Sequence, residues 1–328
     1  MPKKSNQLKT ISELTPKQRK FVDIYVSKYG EISKVDAAKE AGFTPVFKNT
    51  AWDGIFAGLA ANKYDAVVFV HTSGYVQVKK LLEYLSTVGN PKYFYITNEY
   101  NLGDPVTLYS LCKNNGVEYE VIANYPQSIM PPFILSKDSI SKWNNVNLNS
   151  LIYKKIPKIV ELFEPKKSGI IYYGTFRKDR AVYFEKYFDK RIYVSTSRKN
   201  TEKYRAAGLD ASFVGALQWS GKKRRIDNFK ASLYLEDVTT HSNYNYLANR
   251  FYEALSFSVP CVFDESCCNT IRLSKYPISS DFIINSKQEL HELAEAIPED
   301  FEYSEEIHAM AEFEKTETLK QIEEIVCR

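Results

Sequence analysis

The chain has 328 residues, 44% of them hydrophobic and 14% aromatic, which suits two domains of roughly 100–200 residues better than one. It lacks an apolar run near the ~18 residues of a membrane span, and MPKKSNQLKT has no apolar signal core, so a soluble, cytoplasmic protein is expected. The net charge of +4 is uneven: from Lys287 onward there are 13 acids and 4 bases, leaving 27 acids, 40 bases and a balance of +13 in residues 1–286, a distribution that fits polyanion binding.

Residues 1–12 are polar and read as disordered. In LTPKQRKFVDIYVSKYGEISKVDAAKEAGF, residues 14–43, Thr15 is a good N-cap with Pro16 at the first helical position. Phe21, Ile24 and Tyr25 follow at helical spacing, Gly30 ends the helix, and a second helix spans 33–40. The stretch resembles the N-terminal helix-turn-helix of bacteriophage small terminase subunits, with T-P-K-Q, an aromatic-Val pair and A-A-x-x-A-G before an aromatic. The resemblance implies that Lys17, Arg19 and Lys20 face DNA phosphates. Pro45-Val-Phe reads equally well as a recognition-helix start or as the first strand of the next domain, and a helical appendage packed on the body is the alternative.

Residues 44–165 alternate between helix and strand. Helices are expected at 49–61, 76–85 and 105–114, and strands at 65–70, 92–96 and 119–122, which implies a parallel sheet. Tyr125 to Ser168 holds Pro126, Pro131, Pro132 and Pro157 and reads as a domain crossing, with 148–153 as a candidate extra strand. The alternation resumes over 169–286, with strands at 169–173, 191–195, 212–214, 233–236, 261–263 and 282–284. Helices are expected at 179–188, 201–207 and 246–255, and one or two in the acidic C-terminus. The expected division is 1–43, 44–165 and 166–328.

Two stretches carry the candidate chemistry. At 172–180, YYGTFRKDR, a strand gives way to a tight glycine turn and then to a helix, with three cations in four residues. Ligands of open α/β sheets sit at strand carboxyl ends, so these cations are placed to meet a pyrophosphate; a basic surface turn is the plainer reading. The spacing is neither G-x-G-x-x-G nor that of a P-loop. At 243–264, NYNYLANRFYEALSFSVPCVFD, a polar loop leads into an amphipathic helix and a short buried strand. Leu247, Phe251, Ala254 and Leu255 form the apolar face, and Asn249, Arg250 and Glu253 are expected to project elsewhere, toward a ligand or into solvent.

The loop–helix–strand unit with its helical carboxylate resembles the donor half of GT-B glycosyltransferases, and more distantly the bacteriophage enzymes that glycosylate hypermodified DNA bases. The resemblance implies two Rossmann-like domains facing a cleft and a nucleotide-sugar donor, UDP-glucose, with no metal required. Gly174, Arg177, Arg180 and the helix N-terminus near Tyr246 would hold the diphosphate, and Glu253 and Asn249 the ribose, with Arg250 beside them. Asn243, with Thr240 and His241, precedes the helix and is placed to touch phosphate or sugar, and Trp219 either stacks on the base or fills core. Lys222, Lys223, Arg224 and Arg225 are a solvated loop or a DNA phosphate contact. The acceptor would be a flipped, hydroxymethylated pyrimidine in double-stranded DNA. An inverting reaction needs a base, for which Glu99 is preferred and Asp53, Asp104 and His71 are the other candidates. A non-DNA acceptor, or a non-enzymatic DNA-binding protein, are the competing functions.

The five cysteines (Cys112, Cys261, Cys267, Cys268, Cys327) lack C-x-x-C spacing and read as reduced thiols, with the vicinal pair as a redox alternative. His71, His241, His291 and His308 show no ligand spacing, so no zinc site is expected.

Overall fold

The computed structural model describes residues 66–70, 82, 92–97, 103–126, 142–156, 169–218, 225–236 and 246–326. The chain divides into two compact units, Met1–Leu151 with Glu317–Arg328, and Ile152–Thr316. The expected boundary after residue 165, the terminase-like helices of 14–43 and the helix expected at 49–61 lie outside the described residues.

The first unit contains a parallel sheet in the order β1 (Ala66–Val70), β2 (Lys92–Thr97), β3 (Glu118–Ala123), β4 (Trp143–Asn145). Helix α1 (Gly103–Asn114) joins β2 to β3 and buries Leu108 and Cys112, one turn apart. It stops at Gly116, whose φ of +66° suits a residue without Cβ, and the amides of Gly116 and Val117 cap the last turn. The strand considered for 148–153 is a 3₁₀ turn over Leu148–Ile152, and β4 forms earlier. Polar side chains account for both. Asn124 accepts from the Leu148 amide at 2.7 Å and donates to Asn149 Oδ1 at 2.7 Å, turning the chain. Trp143 Nε1 donates to Tyr125 O at 2.9 Å, holding an otherwise polar W-N-N strand beside β3. Phe94, Ile122, Val146 and Leu148 pack with Ile325 from the C-terminal helix.

In the second unit six parallel strands run in the order β10 (Ile283–Ile284), β9 (Cys261–Asp264), β8 (Ala231–Tyr234), β5 (Ile170–Tyr173), β6 (Ile192–Ser195), β7 (Ser212–Val214). Counted from β5, this is the doubly wound order 3-2-1-4-5-6, which reverses between β5 and β8. Strand residues alternate between two cores, as a sheet covered on both faces requires. Ile171, Tyr234, Cys261 and Phe263 join one core, and Ile170, Tyr172, Leu233 and Val262 the other. Helix α4 (Asn249–Ser256) covers the first face with Phe251, Tyr252, Ala254 and Leu255. On the second face lie α2 (Val182–Tyr187), α3 (Arg198–Ala206) and α6 (Lys287–Ala296). A short α5 (Cys268–Ser274) follows β9, and α7 (Glu305–Val326) closes the chain. No helix among the described residues is long and apolar enough to cross a membrane.

Candidate functional site

The strand order reverses between β5 and β8, the place where open α/β sheets bind ligands, and the stretch YYGTFRKDR leaves the carboxyl end of β5 there. After β5 the chain turns at Gly174, whose φ is +147°. A Cβ at Gly174 would lie 3.2 Å from Arg250 Nη2, so the turn requires glycine for its conformation and for the close approach of the guanidinium. Thr196 Oγ1 donates to Gly174 O at 2.8 Å and fixes the turn to the end of β6. A 3₁₀ turn at Lys178–Ala181 then leads into α2 and carries Arg180 inward.

Arg180 and Arg250 meet on one carboxylate. Arg180 Nη2 donates to Glu236 Oε2 at 2.8 Å, and Arg250 Nη1 donates to Glu236 Oε1 at 3.1 Å. All three side chains are buried. Arg250 also donates to the carbonyls of Leu235 at 2.8 Å and Tyr173 at 3.1 Å, which cap the ends of β8 and β5. Its guanidinium lies over the rings of Tyr172, Tyr173 and Tyr234, 5.3 to 5.8 Å from their centroids. Its Nε is buried with no hydrogen-bond partner among the described residues. Burial works against the Arg250 charge, and the Glu236 carboxylate together with Tyr172 and Tyr173 more than offsets it. Two arginines share this one buried carboxylate, which concentrates guanidinium charge at the ends of β5 and β8, an arrangement suited to an anion.

Glu253, one turn along α4, is half-buried. Burial pushes its carboxyl up to about 7, against a hydrogen bond from Tyr173 and the charge of Arg250. Burial likewise pushes the Tyr173 phenol well up, with Glu253 adding to the effect. Tyr173 Oη also donates to Arg250 O at 3.1 Å, tying α4 to the strand end.

The structure brings several of the sequence candidates together, in surroundings that differ from those expected. Gly174, Arg180, Arg250 and, through Tyr173, Glu253 are brought together. Arg250 does not project away from the core as expected but reaches into it. Helix α4 begins at Asn249, with Ala248 as N-cap, so Tyr246 precedes it. Arg177 is half-buried at the cap of the 3₁₀ turn, and Tyr246 and Asn249 are half-buried. Arg225 is corrected outright. It is buried, forked onto Asp227 at 2.9 and 2.8 Å and stacked 4.8 Å over Phe257, so it is a core ion pair and no DNA contact. Trp219, Asn243, Lys222, Lys223, Arg224, Lys17, Arg19, Lys20, Glu99, Asp53 and His71 lie outside the described residues. Asp104 sits in the first turn of α1. Glu236 was missed; it fell inside an expected strand over 233–236, whereas β8 ends at Tyr234 and leaves the carboxylate beyond the strand end.

No protein-family model matches this sequence, and no curated protein does. Solved structures do. One is a β-glucosyltransferase described as a DNA modifying enzyme, determined with and without its substrate uridine diphosphoglucose. The TM-score is 0.53, at 12% identity, over 97% of this chain and 93% of that one. The fold is shared with a glycosyltransferase. Another is AviGT4, a glycosyltransferase involved in avilamycin A biosynthesis, at TM-score 0.36 and 10% identity over 80% of this chain and 97% of that one, too low a score to carry an argument.

Proposed function

We propose that the chain is a GT-B glycosyltransferase that moves glucose from UDP-glucose to a hydroxymethylated pyrimidine in duplex DNA. The observation that carries this reading is the buried Arg180–Glu236–Arg250 cluster at the strand-order reversal of a fold shared with a β-glucosyltransferase. The donor diphosphate lies against Arg177, Arg180 and Arg250, with its oxygens over the Gly174 turn, and Glu253 accepts from the ribose hydroxyls. The acceptor oxygen attacks the anomeric carbon, the bond from that carbon to the diphosphate breaks, and its electron pair leaves with UDP. Fixed guanidinium charge stabilises the departing diphosphate without reorganisation at the moment of reaction. The acceptor proton passes to a carboxylate, for which Glu99 is the preferred candidate. DNA as acceptor is supported by the +13 balance of residues 1–286 and by the similar structure's being a DNA modifying enzyme.

The test is UDP release from UDP-glucose by the full chain, with duplex containing 5-hydroxymethylcytosine or 5-hydroxymethyluracil and with unmodified duplex. Release that depends on the modified base is the expected result. Tight UDP binding without such release would move the acceptor to a glycan or protein, and absence of nucleotide binding would remove the enzyme reading.

A further inference from the structure

Helix α3 carries a charge pattern that its own fold does not need. Its sequence RKNTEKYRA supplies four cations and one acid, and Tyr204 is its only buried residue. Tyr204 holds the helix against the Gly174 turn: its hydroxyl donates to Thr175 O at 3.2 Å, and its ring meets Phe176 edge-on at 5.1 Å. At about 100° per residue, Arg198, Lys199, Lys203 and Arg205 occupy an arc of about 160° whose midpoint lies about 180° from Tyr204. All four are exposed. Arg198 makes a loose pair with Glu202 at 3.8 Å, and Arg205 lies over the Phe213 ring. Lys199 and Lys203 have no ion pair among the described residues.

Local electrostatics favour Lys203 and Arg205 in the last turn but disfavour the rest of the arrangement. The first turn holds Arg198 and Lys199 and no acid, where the helix dipole prefers negative charge. Lys199 and Lys203, four residues apart, repel one another. A surface that accepts both penalties gains most from an external anion. The row extends over seven residues, or about 10 Å, which is too long for one phosphate and matches a polymer with a charge every few ångströms. The helix starts just past Thr196, which bonds the Gly174 turn, so its first cations stand on the edge of the sheet that holds the Arg180–Arg250 cluster.

We infer that the outward face of α3 is a duplex-DNA contact surface, with Lys199, Lys203 and Arg205 on backbone phosphates. The inference rests on the DNA-acceptor reading above and adds a second unit's surface to it. The test compares the full chain with the triple variant Lys199→Gln/Lys203→Gln/Arg205→Gln, which removes exposed charge and relieves the repulsion within the helix. Binding to a short duplex containing 5-hydroxymethylcytosine is titrated over a range of salt, alongside UDP binding and Tm. Each phosphate contact contributes about 0.9 to the slope of log K against log salt, so the slope should fall by roughly 2 to 3. UDP affinity and Tm should be unchanged. An unchanged slope overturns the inference and leaves the acceptor reading intact. A wild-type chain that binds UDP but not duplex overturns both the inference and the DNA acceptor. Tighter wild-type binding to a sulfated polysaccharide of matched length than to duplex overturns the assignment of the partner.

Discussion

Replacing Glu236 by alanine is the most direct test of the cluster on which the functional reading stands. The change strips the shared carboxylate from two buried guanidiniums, 6% and 8% exposed. Removing one side of a buried ion pair typically costs about 3–5 kcal/mol, because the charge left behind stays out of water. For a unit the size of Ile152–Thr316, each kcal/mol moves Tm by about 2–4 °C, so a fall of roughly 6–20 °C is expected. Glu236→Gln keeps one acceptor oxygen and should fall in between. The second half of the prediction concerns ligand. If a diphosphate belongs beside these arginines, its oxygens take the place of the lost carboxylate. Saturating UDP should then raise Tm more in the alanine variant than in the wild type. Differential scanning calorimetry of both proteins, with and without UDP, reads both quantities. A fall of less than about 3 °C would show that Glu236 is not the counter-charge, and an equal UDP response would separate the cluster from the diphosphate.

Other changes probe the same edge and its neighbours. Gly174→Ala forces a Cβ onto a φ of +147° and toward Arg250 Nη2, so a loss of about 1–3 kcal/mol and weaker UDP binding are expected in denaturant melts and titration calorimetry. Asp227→Ala leaves Arg225 buried without its forked partner, and should cost about 3–5 kcal/mol while DNA affinity stays the same; a specific loss of DNA binding would return Arg225 to the surface role. For Glu253, whose folded pKa of about 7 exceeds its ordinary value, the fold holds the proton more tightly than the unfolded chain. Its contribution is present in full below about pH 4 and is lost as pH rises through about 7, so the stability of wild type relative to Glu253→Gln should decline over that window. Parallel pH profiles for the two proteins would contradict the burial. If the ionised carboxylate receives the ribose, donor KM in the wild type should also fall as pH rises through 7, and should stay flat in the variant.

Much of the second unit was legible because its strands are short, mostly apolar and separated by helical stretches. IIYY, IYVS and CVFD announce buried parallel strands, and Pro260 marks where α4 must stop. Strand β4 was illegible for the converse reason: W-N-N has no apolar pattern, and it is held by side-chain bonds to Tyr125 and Val121 that no local window contains. The 3₁₀ turn after it depends on Asn124, 25 residues before its partner Asn149. Gly174, Arg180, Arg250 and Glu253, singled out from motif and spacing, lie near one another in the fold. Glu236 was not singled out, since a single carboxylate behind an apolar strand carries no signature until the fold shows that two arginines from other elements end on it.

The contrast between Arg225 and Arg250 shows what distinguishes a candidate ligand site from a structural ion pair. Both guanidiniums are buried, both stack on aromatic rings, and both hydrogen-bond a carboxylate, so neither burial nor partnering separates them. The number of arginines per carboxylate does. Arg225 spends Nε and Nη2 on the two oxygens of Asp227, a one-to-one pair that is neutral. Glu236 gives one oxygen to each of two arginines, so two guanidiniums converge on one carboxylate beside the Gly174 turn, where the strand order reverses. Guanidiniums that converge in this way are stabilised by an added anion, and that coupling makes thermal response to UDP a test of the proposed function as well as of stability.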